Sequence, residues 1–128
     1  MMKQIISTDQ APAAIGPYSQ AVKAGNTVYL SGQIGMDPST MQVVSGGVSA
    51  EAEQMFKNLV ATAQAAGGTL ASVVRMTIYL TDMTHFAEVN RMMERFFEAP
   101  FPARACIAVK ELPKKALVEA DAIMVLGE

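Results

Sequence analysis

The chain has one cysteine, Cys106, one histidine, His85, and no block of like charges. Each scarcity excludes a class of chemistry. A lone cysteine forms no intrachain disulfide, and a free thiol beside ten methionines suits a reducing compartment. One histidine rules out multi-histidine metal sites and leaves Cys106 no other partner for a cysteine–histidine dyad. His85 lies beside Thr84 at an expected helix start, which reads as an exposed polar position. The longest basic run is Lys114-Lys115 and the net charge is −2, so the concentrated basic face that phosphate binding needs is missing. That counts against a nucleic-acid partner. No apolar run reaches the roughly 20 residues of a membrane span, and residues 1–9 lack the apolar centre of a signal peptide. The expectation is a soluble, cytoplasmic protein with no membrane partner.

What is present points to a globular fold. Of 128 residues, 51% are apolar and 17% charged, enough to build one core and one domain over residues 1–128. Residues 27–34 are β-rich after the Gly25-Asn26 turn signal, and residues 19–23 are placed to pair with them as a hairpin. Residues 42–44 read as a brief edge strand. A helix is expected over 49–66, because Ala52, Met55, Phe56, Leu59, Val60, Ala63 and Ala66 form one apolar stripe. Ser49 is its expected N-cap, with Glu51 and Glu53 placed for the macrodipole and Gly67-Gly68 as the stop. A strand over 72–80 and a helix over 83–98 follow, the latter ended by Pro100 and Pro102. Strands over 104–109 and 117–126 close the chain around the turn at 112–115.

This β-β-α-β-α-β-β order predicts an α+β fold, a mixed sheet with two helices on one face. The other sheet face then has no cover within the chain and must be polar or buried in an oligomer.

Several polar residues lie where apolar ones are expected. Arg104 stands in the apolar, small-residue strand segment Phe101-Pro102-Ala103-Arg104-Ala105-Cys106-Ile107-Ala108-Val109, and a guanidinium among apolar neighbours needs an anion beside it. Alternation puts Glu119 and Asp121 on one strand face with Ile123 and Val125, and Arg104 on one face with Cys106. The anion can therefore be Glu119, in a structural ion pair, or the carboxylate of a small ligand. Asn90 lies about 40° from Phe86 and about 20° from Phe97 around an ideal helix, at the border of the apolar stripe. It either ties down a loop or serves a site. Ser31-Gly32 interrupts a strand with glycine, as the close approach of a backbone or a ligand would require. Gly16-Pro17-Tyr18-Ser19 is a constrained turn presenting a tyrosine.

Five ordered segments together resemble the reactive intermediate deaminase family (Rid, YjgF or L-PSP), specifically its Rid A branch. They are residues 14–21 (AIGPYSQA), 30–34 (LSGQI), Val89-Asn90, 101–106 (FPARAC) and 118–122 (VEADA), and they span nearly the whole chain. The resemblance implies a chorismate-mutase-like fold and a homotrimer with its sheets facing inward and sites between subunits. It implies an enamine/imine deaminase acting on 2-iminobutanoate and 2-iminopropanoate, with no metal and no cofactor. Arg104 would hold the substrate carboxylate, aided by the Cys106 backbone N–H, and Glu119 would activate water. Tyr18, Ser31, Gly32 and Asn90 would shape the cleft. Met93 stands where the family often has an aromatic residue, and Asp121 where it often has Glu. Two other functions stay open: a non-catalytic sensor of small carboxylates such as 2-oxo acids, and an endoribonuclease or translation inhibitor.

Overall fold

A computed structural model describes residues 2–127. Six strands, β1 (Lys3–Ile6), β2 (Ala21–Ala24), β3 (Thr27–Ile34), β4 (Val73–Leu80), β5 (Ala103–Ala108) and β6 (Val118–Val125), form one sheet in the order β1-β2-β3-β6-β4-β5. Two helices, α1 (Gly47–Ala65) and α2 (Phe86–Phe96), follow β3 and β4. The β4–β5 pair is parallel, joined through α2; the other pairs are antiparallel. The expected α+β class and both helices are present, and the hairpin expected from residues 19–23 and 27–34 forms between β2 and β3.

The strand alternation decides where the core lies. Val118, Ala120, Ala122 and Met124 are buried, and Met76, Ile78 and Leu80 of β4 join them on the same sheet face. The apolar stripe of α1 (Ala52, Met55, Phe56, Leu59 and Ala63) closes over that face and is fully buried. Val89, Met92 and Met93 of α2 complete the layer, and Phe56 stacks against Phe96 and Phe97 at 5.4 and 5.9 Å between ring centres. Burying such side chains contributes roughly 1.5–3 kcal/mol each. The opposite face carries no helix. Register places Ile5, Val22, Tyr29 and Ile123 in one row across it, with Tyr79, Ile107 and Glu119 alongside. Tyr29 and Ile107 are about half exposed, so this face presents an apolar patch among the described residues.

Four local expectations need correction. The strand β1 is additional; its Lys3-Gln4-Ile5-Ile6 sequence is weakly apolar and is held by pairing with β2 alone. Residues 42–44 make only a single bridge, Met36 to Val43. The N-cap of α1 is Gly46, not Ser49: Gly46 and Gly47 both have positive φ, and the Ser49 hydroxyl donates to Glu88 Oε2 at 2.6 Å instead. His85 is half-buried at the end of a 3-10 turn, rather than exposed.

Glu51 is also used differently. It lies beyond the first turn of α1, is 6% exposed, and its Oε1 accepts the Leu117 backbone N–H at 2.7 Å. Gly35 makes room for this, since a Cβ there would meet the Glu51 backbone at 2.5 Å. Burial raises the Glu51 pKa, opposed by the Leu117 N–H and the charge of His85. Its folded-state pKa therefore exceeds the unfolded one, and stability falls as pH rises through that interval. In Glu51→Ala the Leu117 N–H loses its partner, a loss of roughly 1–3 kcal/mol. Glu51→Gln keeps an acceptor and should match wild type within about 1 kcal/mol while flattening the pH dependence. Urea unfolding at several pH values checks both.

Candidate functional site

The residues singled out from the sequence divide between two separate hollows. The first, about 450 Å³, is lined by Tyr18, Ser31, Gly32 and Glu119, with Ile15 and Lys114 at its sides. The second, about 410 Å³, lies between α2 and the start of β5 and is lined by Asn90, Met93, Phe101 and Arg104.

The first hollow is made by an irregularity. Between Leu30 and Gln33 the β3–β6 register shifts, so Ser31 and Gly32 together oppose Asp121. That is the two-against-one count of a β-bulge. The bulge turns Gly32 toward Glu119, whose carboxyl group occupies the place a Cβ would take. The close approach required of this glycine is thus made by a side chain of the chain itself. Ser31 is turned toward the preceding loop: its Oγ donates to the Ser19 carbonyl at 2.5 Å and its N–H to the Gln20 carbonyl at 3.0 Å. Tyr18 stands on a tight turn closed by its own N–H to the Gly16 carbonyl at 2.8 Å.

Gln20 is a residue the sequence reading passed over. It is buried, accepts from the Thr8 N–H, and donates to the carbonyls of Thr8, Ala11 and Pro12. These bonds pin the 8–12 loop to the rim of the hollow. Its only sequence signal is a polar residue directly before an apolar strand.

The Glu119 carboxyl is half-buried. Burial raises its pKa first, and the charge of Asp121 adds to it. The sign of this shift, left open by the sequence, is upward. Such a group can accept a proton nearer neutrality than an ordinary glutamate. Gly32→Ala should push the Glu119 carboxyl aside while leaving the bulge backbone in place. Any activity that depends on Glu119 should fall at least tenfold with an unchanged circular-dichroism spectrum, the geometric cost of misplacing a reacting group.

In the second hollow Arg104 is exposed and organised on one side. Its Nη1 donates to Asn90 Oδ1 at 2.6 Å and to Met93 Sδ at 3.5 Å, and its guanidinium lies 5.3 Å from the centre of the Phe86 ring. Asn90 is therefore aimed at the arginine rather than at a loop. Phe86 supports the plane of the charge, a cation–π role that a core-facing reading of its stripe misses. Among the described residues no carboxylate lies within 4 Å of this guanidinium; the one ion pair is Arg95–Glu53. The remaining donors of the fork are free to receive a planar anion.

A structural pair between Arg104 and Glu119 does not form, for two reasons. The strand β4 lies between β5 and β6. Arg104 is opposite the buried Met76, on the helix side, whereas Glu119 is opposite Tyr79 on the open side. One chain thus does not bring the two together. Cys106 is opposite Ile78 on the helix side, half-buried against the core; burial raises its thiol pKa, with the Arg104 charge opposing. That suits a packed thiol rather than a nucleophile. Among the described residues no group of His, Cys, Asp and Glu could hold a metal ion, and no helix is long and apolar enough to cross a membrane.

Comparison with known proteins agrees with this geometry. A sequence model described as endoribonuclease L-PSP matches residues 8–126. The chain is 49% identical to a 2-iminobutanoate/2-iminopropanoate deaminase of Dermatophagoides farinae, covering 97% of each. It superposes on the crystal structure of RidA from the Antarctic bacterium Psychrobacter sp. with a TM-score of 0.93 at 50% identity, covering 96% of this chain and 99% of that one. It superposes on Escherichia coli TdcF with bound serine with a TM-score of 0.93 at 38% identity, covering 97% and 99%. With the bulge, the arginine and the strand acid all lying within that match, the chain belongs to the L-PSP (Rid/YjgF) family.

Proposed function

We propose that the protein is a 2-iminobutanoate/2-iminopropanoate deaminase, hydrolysing reactive imines and enamines released by pyridoxal-phosphate enzymes to 2-oxo acids and ammonia. The observation that carries this reading is the Arg104 fork, anchored by Asn90 and Phe86 yet in no ion pair with a carboxylate among the described residues. A 2-imino acid has a carboxylate directly beside an electrophilic C=N carbon. With the carboxylate on Arg104, that carbon is fixed in orientation. Glu119 then takes one proton from water as its oxygen bonds to the carbon, and passes it to the imine nitrogen, which has received the C=N electron pair; it next takes the hydroxyl proton of that carbinolamine as the C=O forms, and gives it to the nitrogen as the C–N bond breaks. The products are the 2-oxo acid and ammonia, and the carboxylate ends as it began. Tyr18, Ser31 and Gly32 wall the Glu119 side, and Asn90 the Arg104 side, where the Cys106 backbone N–H would assist in holding the substrate carboxylate.

Because Arg104 and Glu119 lie on opposite faces of one sheet, this reading requires a second chain. A homotrimer with inward-facing sheets would cover the apolar row of Ile5, Val22, Tyr29 and Ile123, and would set one chain's Arg104 against the next chain's Glu119. A single domain over residues 1–128, acting in the cytoplasm without a cofactor, completes the reading.

The test couples the purified protein to a threonine dehydratase and follows 2-oxobutanoate release against semicarbazide trapping of the imine. A reduced trapped fraction supports the reading, and an unchanged fraction refutes it. Thermal stabilisation by a 2-oxo acid without turnover would instead identify a sensor. Sedimentation at three times 13.6 kDa is expected; a monomer would leave the site incomplete.

A further inference from the structure

Asp121 and Tyr79 have no part in the chemistry above, yet they are built onto the same strand face as Glu119. Asp121 is two residues from Glu119, and both project to the open side of β6. Across the ladder, Tyr79 opposes Glu119 and Thr77 opposes Asp121. The Tyr79 hydroxyl does not stay with its direct neighbour. It crosses diagonally and donates to Asp121 Oδ2 at 2.9 Å. The carboxylate of Asp121 is thereby tethered to Tyr79 on the face it shares with Glu119. The clamp is durable with pH, because the hydrogen bond to Asp121, followed by burial and the Asp121 charge, holds the Tyr79 phenol above its ordinary pKa. It therefore remains a donor throughout the range in which carboxylates titrate.

We infer that Asp121, held by Tyr79, is a positioning residue that sets the protonation of Glu119 by a fixed negative charge on the same strand face. This rests on the reading of Glu119 as the base that moves a proton to and from the imine. A base that must both accept a proton from water and return it to the leaving nitrogen works best when its affinity for protons lies near the working pH. Like charge at fixed distance is a direct way to achieve that.

The other groups facing Glu119 do not supply the same effect. Tyr18, from the loop before β2, stands across the hollow. From β3 come Gly32 and Ile34, which carry no charge. Lys114 reaches the hollow from the 113–115 turn, but its ammonium is bonded to the Met41 carbonyl at 3.1 Å. In the proposed trimer the neighbouring subunit's Arg104 opposes Asp121, and the substrate carboxylate occupies that arginine during turnover.

The experiment titrates the carboxyl carbon of Glu119 by NMR in protein carrying 13C-labelled glutamate, assigned by its absence in Glu119→Gln. It is done for wild type, Asp121→Asn and Tyr79→Phe, with kcat/KM measured against pH for each. Removing the negative charge in Asp121→Asn should move the Glu119 midpoint down by roughly half a pH unit to one unit, as expected for two carboxylates two residues apart on one strand face in a partly screened site. The acid limb of kcat/KM should move with it. Tyr79→Phe keeps the ring but removes the O–H dipole that partly offsets the Asp121 charge, and should move the midpoint up by roughly a few tenths of a unit. An unmoved Glu119 midpoint in Asp121→Asn, or shifts of the same sign in both variants, overturns the inference. A structural role alone would lower activity without moving either. If Asp121→Asn does not fold, Tyr79→Phe decides by the presence or absence of its upward shift. If wild type hydrolyses no imine, the deaminase reading fails while the NMR midpoints still decide the coupling.

Discussion

Arg104→Ala should lower kcat/KM for 2-iminobutanoate by roughly 10²–10⁴-fold and leave a folded protein. Charge-assisted hydrogen bonds are worth roughly 1.5–3 kcal/mol each, and a bidentate grip on a carboxylate uses two. Each 1.4 kcal/mol is about tenfold. The stability side is small because the guanidinium is exposed and holds no ion pair among the described residues. What is lost there is the bond to Asn90 and the contact with Phe86, together roughly 1–2 kcal/mol. Arg104→Lys is the sharper variant. It keeps the charge but replaces a planar fork by a point donor. It should recover less than a tenth of the wild-type kcat/KM, whereas a site that merely needed a nearby cation would be restored. Coupled assays of both variants, beside their melting temperatures, separate the two accounts.

That prediction depends on which face Arg104 occupies, and the sequence states only half of this. Alternation within a strand is a period of two, so it fixes which residues share a face. It puts Glu119 with Asp121 and Arg104 with Cys106, and the sheet bears out both. It says nothing about the phase of one strand relative to another, nor about strand order. Only the insertion of β4 between β5 and β6 shows that the two sets point to opposite sides. The helix α1 was legible because its stripe of Ala52, Met55, Phe56, Leu59 and Ala63 is continuous. Its start was not, because Ser49, a good cap by composition, found a better partner in Glu88 on the other helix. Long-range polar partners such as Asn58, which donates to the Ile34 and Met36 carbonyls at 3.1 and 2.9 Å, leave no local pattern at all. They hold the end of β3 where it lines the Glu119 hollow. Gly32 was readable as an anomaly, but its neighbour was not.

Glu119→Gln should separate activity from stability in opposite directions. Loss of a general base lowers the rate by roughly 10²–10⁴-fold, and glutamine cannot take the proton from water while filling the same space beside Gly32. The stability effect follows from the raised pKa. Burial and the Asp121 charge make the folded state hold the Glu119 proton more tightly than the unfolded chain does. As pH falls, the folded carboxyl is therefore protonated first. Stability from this group is fully present below the unfolded-state pKa and is lost as pH rises through the folded-state pKa. At pH 7 the ionised wild-type side chain is a net strain on the fold, and the neutral glutamine removes it. The variant should thus melt at the same temperature as wild type or higher at pH 7, and the difference should vanish toward pH 4. In wild type, kcat/KM should fall on the acid side with a midpoint above that of an ordinary glutamate, and in Glu119→Gln the residual rate should lose that limb. A variant that is both inactive and less stable at pH 7 would mean that the Glu119 carboxylate is held by a favourable partner, and the neighbouring chain's Arg104 would be the group to test for it.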